Sequence, residues 1–362
     1  MLKIASIFLI GIIASSQQEV KIISVGDVFI HKSILNSVYN HKEKSYDFFP
    51  VFEEIKPYLD SVDLSTAWFG GVLDTIGPYT GYPCFKTPKA LALALKWAGF
   101  GVLFRTNHTL DYGLKGLKTT TKVLKETGLA QIGAYLSAEE SKEIYIFEKN
   151  GIKIAFLSYT YGTNGIPIPK PWMVKLIDLK VISEDIDRAK QISDFIIVAL
   201  HFGIEYERYP NKEQKRIVRK IIAMGADMII GSHPHVIQSV EIIETDKKKV
   251  FVAYSLGNFF CGQRKRYTDT GVMLKYTIAK RGEETYLKEI KYIPTYVAKY
   301  WNDSSYKFKI LPIKKSLKLY NEGKLKFIGK KIYKRMVSAL SETIRHLDKP
   351  EINFVTEDTL PY

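Results

Sequence analysis

Cysteine is scarce in this chain: Cys84 and Cys261 are the only two among 362 residues. Two thiols exclude a disulfide-dense scaffold and any zinc site made of several thiolates. Long apolar runs are also missing beyond the N-terminus, where a bilayer crossing would take about 20 such residues. No internal repeat and no low-complexity linker occurs, so repeat arrays are excluded and no hard boundary is marked before about residue 300. Acidic residues are in deficit: 53 Lys+Arg against 38 Asp+Glu leave a formal net charge of +15. An excess of that size attracts anionic partners such as nucleic acid, anionic lipid or an acidic polymer, and it is silent on fold. What is present, 46% hydrophobic and 25% charged residues, is the balance of a folded globular protein and not of a disordered one.

Lys3 and the apolar run Ile4 to Ala14, followed by the small residues Ala14-Ser15-Ser16, form the pattern of a secretory signal peptide over residues 1–16. The run is short for a membrane span, and an uncleaved tilted anchor is the alternative. No cysteine follows it, which excludes a lipoprotein-type anchor. Export to the cell envelope, periplasm or exterior is the expectation.

From residue 20 to about 295, short β-branched runs alternate with longer amphipathic ones, the pattern of an α/β fold. Val20 to Val25, Gly101 to Phe104, Lys153 to Ser158, Phe195 to Leu200 and Asp227 to Ile230 read as buried strands. Pro88 to Ala98, Leu114 to Thr127, Glu184 to Ile192 and Lys212 to Met224 have helical spacing. Past residue 237 the runs Val250 to Tyr254, Gly271 to Ile278 and Thr285 to Ile293 suggest antiparallel hairpins, so a mixed sheet is expected. A main domain over 17–300 and a basic extension over 301–362 follow from the lysines crowding 314–335. Ile332, Val337, Leu340, Ile344 and Leu347 predict a helix docked on the main domain with its lysines solvated, or presented to a lipid or polyanion surface.

Five segments put acid, amide or imidazole groups just after predicted strands, where open α/β sheets hold ligands. They are Gly26-Asp27, Asn107-His108 with Asp111, His201 to Tyr206 with Glu205, Gly231-Ser232-His233-Pro234-His235, and Gly257-Asn258-Phe259, which closes the Val250 hairpin. Imidazoles with one carboxylate and one carboxamide suit a borderline divalent ion and leave positions for water. Such an ion lowers the pKa of its water and polarises a phosphoryl or carbonyl oxygen. Each histidine taken singly is as well read as a hydrogen-bonded loop residue; their order and placement together point to a site.

These residues resemble the CapA-like poly-gamma-glutamate biosynthesis proteins of the calcineurin-like metallophosphoesterase superfamily. Val25-Gly26-Asp27-Val28 looks like the opening Gly-Asp motif, and Gly81-Tyr82-Pro83 with Thr87-Pro88 resembles the loop before the next helix. Thr106-Asn107-His108 is similar to an Asn-Asn-His motif, His201-Phe202-Gly203 to His-Trp-Gly, Gly231 to Val236 to Gly-x-His-Pro-His-Val, and Ser255 to Phe259 to Ser-Leu-Gly-Asn-Phe. The resemblance implies a metallophosphoesterase-like sandwich of two mixed β-sheets flanked by helices. It makes Asp27 and His235 ligands of one metal, Asn107, His201 and His233 ligands of a second, and His108, with Asp111, the catalytic acid. Glu205, Asn258 and Trp68 are the substrate-contacting candidates.

One departure stands out: the family's Asn-Leu-Glu reads here Trp68-Phe69-Gly70, and Thr106 replaces the first asparagine of Asn-Asn-His. The missing glutamate would bridge two ions, so one divalent ion (Mn, Zn, Fe or Mg) or none is expected unless Asp63, Asp74 or Glu205 substitutes. Trp68-Phe69 is open to packing over the pocket floor or stacking on a ligand. Cys84 and Cys261 are open to a disulfide or to two separate thiols. The partner expected is an anionic polymer such as poly-gamma-glutamate, with an anionic membrane surface as a further candidate and no nucleic acid. Two functions remain, a metal-dependent hydrolase or transferase acting on a phosphoester or glutamyl amide, and a non-catalytic polyanion-binding relative.

Overall fold

The structure is a computed structural model that describes residues 18–302 and 304–347, and the backbone of 355–356. The expected signal peptide lies outside the described residues. Two sheets face each other. The larger has, in spatial order, strands Ser305–Pro312, Glu284–Asn302, Thr270–Arg281, Gln18–Phe29, Leu64–Gly70, Val102–Arg105 and Ala130–Ile132. The smaller runs Val240–Glu244, Lys249–Ala253, Met228–Ser232, Phe195–His201, Ile152–Thr160 and Tyr145–Lys149. In each sheet a parallel centre carries antiparallel strands at an edge, which makes both mixed. The metallophosphoesterase-like sandwich is therefore the fold observed.

The central strands read as unbroken apolar runs because both of their faces are covered. Ile22, Phe104, Phe156, Ile197 and Ile230 fill the space between the sheets. Ile23 and Leu103 point outward against Leu91, Leu95, Val123 and Leu124, which lie on the helices Ala90–Ala98 and Gly113–Thr127. Val198 and Ile229 meet Ile182, Ile186, Val218 and Ile221 on the helices Leu179–Lys190 and Lys212–Met224. Both helix starts on that side are capped, by Asp178 and by an Asn211–Gln214 capping box. The result is helix, sheet, sheet, helix, with parallel strands from both sheets ending at one mouth.

Three expectations are corrected. The segment Asn258–Cys261 does not close the Val250 hairpin; it is a strand running parallel to Gln18–Phe29 in the other sheet. The compositional break near residue 300 falls inside a hairpin of the larger sheet, formed by Glu284–Asn302 and Ser305–Pro312. On the helix Lys330–Leu347, Leu347 is buried and Ile332 and Leu340 pack against the core as expected, but Val337 is 44% exposed and Met336, Ala339 and Thr343 carry the rest of the buried stripe. Small residues at 339 and 343 let the helix lie close, a face that a search for large apolar side chains overlooks. Arg335 pins it by an ion pair to Asp269 (2.7 Å) and is itself steadied by Glu342 of the same helix (3.0 Å).

Candidate functional site

Asp27 owes its position to the glycine before it. A Cβ on Gly26 would lie 1.8 Å from the Gly257 carbonyl oxygen, and Asp27 N donates to that same oxygen at 2.9 Å. The close approach, with a register shift between Ser24 and Asp27, turns the carboxylate into the mouth of the sandwich, where it is fully buried. His201 ends its strand on the facing sheet. His233 and His235 sit on the turn after Met228–Ser232 with φ of 110° and 59°, and Tyr206, whose N donates to Pro234 O, has φ of 69°. Left-handed backbone at three non-glycine residues costs energy that the surrounding packing must hold in place, and such strain gathers at functional sites.

The hydrogen bonds fix which atoms are free. Asn107 donates from Nδ2 to Tyr161 Oη (3.0 Å) and Asn164 Oδ1 (2.8 Å), so its Oδ1 accepts from His201 Nε2 at 3.0 Å. Asn258 donates to Gln263 and to Thr268 O, so its Oδ1 accepts from His235 Nδ1 at 2.9 Å. Asp27 Oδ2 lies 3.3 Å from that same His235 nitrogen. Left without hydrogen-bond partners, and buried, are both Asp27 oxygens, His201 Nδ1 and His233 Nδ1. Burial and the neighbouring imidazoles hold His201 well below the usual histidine range and His233 down at about 3. Burial works against a charge on His235 too, but the Asp27 carboxylate outweighs it and raises the pKa. His201 and His233 are therefore neutral and offer lone pairs.

His108 is oriented from behind. Its Nδ1 donates to Asp111, with both oxygens at 2.9 Å, and Phe85 N donates to Asp111 Oδ2 at 2.6 Å. Its Nε2 accepts from Asn164 Nδ2 at 3.1 Å. A carboxylate on one nitrogen and a lone pair on the other is the arrangement of a general acid or base. Asn164 and Tyr161 link this pair to Asn107 and were not singled out in the sequence, although Asn164-Gly165, both at positive φ, is a turn signal.

A cavity of about 410 Å³ lies beside these groups and reaches His108 and His235, lined also by Phe29, Phe85, Glu205 and Lys265. Lys265 lies over the Tyr206 ring at 3.8 Å, and both line this cavity together with the acidic Glu205. A larger cavity, about 840 Å³, lies at the opposite end of the sandwich around Lys21, Phe195, Asp227 and Lys248, away from every motif residue.

The structure brings Asp27, Asn107, His108, Asp111, His201, His233 and His235 together, with Glu205 on the cavity wall. It does not bring Trp68 there. The indole is fully buried between the sheets, 4.9 Å from the Phe104 ring, where no ligand in the cavity touches it. Asn258 is likewise fully buried, its amide spent on His235 and the 263–268 loop, so it orients a histidine and does not face the cavity. Asp63 accepts from Lys21 N at the far end of its strand and Asp74 pairs with Lys86, so neither replaces the missing glutamate. Cys84 and Cys261 are free thiols.

Comparison with known proteins decides the family. The profile of the bacterial capsule synthesis protein PGA_cap matches residues 21–263. The chain belongs to this family. It is 30% identical over 275 residues to the capsule biosynthesis protein CapA of Bacillus anthracis, covering 71% of this chain and 64% of that one. It is 32% identical over 202 residues to the PGA biosynthesis protein CapA of Bacillus subtilis, covering 54% and 52%. The chain thus spans between half and two thirds of the length of these PGA_cap relatives. Among solved structures, the NAD nucleotidase of Haemophilus influenzae superposes with a TM-score of 0.50 at 13% identity, covering 96% of this chain and 65% of that one, a likeness of fold alone.

Two observations bear on whether this PGA_cap member's residues fit a divalent ion. The orphaned Asp27, His201 and His233 atoms are the donors such an ion takes. Yet among the described residues no three His, Cys, Asp or Glu side chains converge as the ligands of one ion do. The orphaned atoms favour a single ion, because Asp27 Oδ1 and His201 Nδ1 are buried 3.7 Å apart without hydrogen-bond partners, and the carboxylate's ion pair is with His235, at 3.3 Å from Oδ2. Gly70, where the family's bridging glutamate is expected, supplies no side-chain ligand. Also among the described residues, no helix is long and apolar enough to cross a membrane.

Proposed function

We propose that this PGA_cap member acts in the synthesis, export or anchoring of poly-gamma-glutamate or a similar anionic surface polymer, by hydrolysis or transfer at a phosphoester or glutamyl amide. The observation that carries the reading is the His108–Asp111 pair standing beside the orphaned Asp27, His201 and His233 atoms. Asp27, His201 and His233 would hold at most one divalent ion, with Asn107 and His235 steadied by their own hydrogen bonds. Bound there, the ion would supply a water of lowered pKa and polarise the oxygen of the scissile bond. His108 Nε2 is the atom that holds or gives up the proton, Asp111 fixes its tautomer, and Asn164 occupies that nitrogen until a substrate takes its place. Lys265 on the cavity wall, over the Tyr206 ring, favours an anionic chain.

A second reading, a polymer-binding relative without catalysis, is favoured by Gly70, which leaves the site one carboxylate short. Purified protein incubated with γ-glutamyl oligomers and with a phosphodiester, with and without Mn²⁺, separates the two. Cleavage lost in His108→Gln supports the first, retention of the oligomer without cleavage supports the second, and neither cleavage nor retention overturns both.

A further inference from the structure

Phe29 follows Asp27 by two residues on the same strand, so both side chains leave one face of it. Its neighbour across the parallel pairing is Gly70, just as Trp68 is the neighbour of Asp27. An ideal Cβ on Gly70 would lie 2.0 Å from Phe29 Cε1 and 2.1 Å from its Cζ. The ring therefore fills the space that any side chain at 70 would enter. That space is the middle of the site. The Phe29 centroid is 5.3 Å from His108 and from His235, 6.5 Å from His201 and 5.2 Å from Phe85, and the residue is 1% exposed.

A ring with no donor atom at the centre of three imidazoles separates them. On one side stand Asp27, His201 and His233 with their unpartnered atoms; His108 and Asp111, already bonded to each other, stand against the ring's edge on the other. We infer that Phe29 and Gly70 form a coupled pair that limits this site to one ion, the ring by filling the space and the glycine by offering no ligand. A carboxylate at 70 requires the ring to leave, and removal of the ring without a carboxylate opens a hole with no ligand. A direct repair of Trp68-Phe69-Gly70 to Asn-Leu-Glu would therefore fail on Phe29. The inference rests on the single-ion reading above.

The test counts Mn²⁺ per chain by equilibrium dialysis and follows the melting temperature of the full protein. Unaltered protein and Phe29→Ala are expected to hold one ion, and F29A/G70E two. Gly70→Glu alone is expected to melt well below the unaltered chain, and F29A/G70E to melt above Gly70→Glu. Two ions on the unaltered chain, an equal count in Phe29→Ala and F29A/G70E, or a Gly70→Glu variant as stable as the unaltered protein would each overturn the coupling. No ion on the unaltered chain would defeat the single-ion reading instead; the increment from Phe29→Ala to F29A/G70E then still decides the role of Phe29.

Discussion

His201 Nδ1 stands 3.7 Å from Asp27 Oδ1, both atoms are buried, and neither has a hydrogen-bond partner. Because His201 gives its Nε2 proton to Asn107, the facing nitrogen is a lone pair opposed to a carboxylate. Two acceptors in that position repel, and a cation between them reverses the sign.

Asp27→Asn should therefore separate two effects. Without ions the substitution gives up the 3.3 Å pairing with His235 but relieves the repulsion with His201, two effects of opposite sign, so the net change in stability should be small beside that of the ion. With Mn²⁺ at a hundredfold excess over its dissociation constant the unaltered protein should gain about 2.7 kcal/mol, and Asp27→Asn should gain none. Melting curves across an Mn²⁺ series measure both; an undiminished rise in the variant would refute Asp27 as a ligand.

Trp68→Ala should cost about 3–5 kcal/mol in denaturant unfolding, the range for truncating a fully buried aromatic. Ion count and polymer retention of the folded variant should stay the same. A folded variant that loses polymer binding would return Trp68 to the binding surface.

His31 gives a prediction in pH. Burial pushes its pKa down to about 4, and its Nδ1 accepts from Gly262 N, a bond that a proton on Nδ1 would break. The unfolded chain takes up this proton near pH 6.5 and the folded chain only near 4, so the stability is present above 6.5 and is lost as pH falls toward 4. The loss from this residue is about 3 kcal/mol. His31→Gln should flatten the acid limb of the stability curve by that order; superimposable curves would contradict the assignment.

The basic C-terminal stretch divides in two. Lys330, Lys331 and Lys334 are exposed, whereas Arg335 is spent on Asp269 and Glu342. Reversing the three lysines should lower retention on immobilised polyglutamate, with binding that falls steeply as salt rises. Arg335→Glu should lower the melting temperature instead. Unchanged retention after the triple reversal would move the polymer site to the rim around Lys265.

Much of this was legible in the sequence for a plain reason. Strands buried on both faces announce themselves, as at Phe195 to Leu200, and the polar residues that break them fall at the mouth where His201 and Asp27 meet. What could not be read was depth and register. Trp68 and Asp27 share a face by pairing, yet only the packing against Phe104 shows that the indole lies below the cavity. Phe29 reads as the apolar end of a strand; its place among the histidines depends on a glycine in another strand. Asn164 reached the site from a loop, with no periodicity to place it.

The strand Gln18–Phe29 carries Asp27 and occupies the middle of the larger sheet, yet one of its two long neighbours is Thr270–Arg281, with Gln18 paired to Lys280 and Val25 to Met273. A chain emerging from its N-terminus makes this central strand early and its partner late. Until synthesis passes Arg281 the strand has an open edge on that side, and the Gly257 carbonyl that seats Asp27 arrives only shortly before. Pairings this distant in sequence close slowly and leave apolar edges uncovered meanwhile. The same arrangement that puts a carboxylate at the heart of the site thus leaves the growing chain with an uncovered apolar edge until late in synthesis.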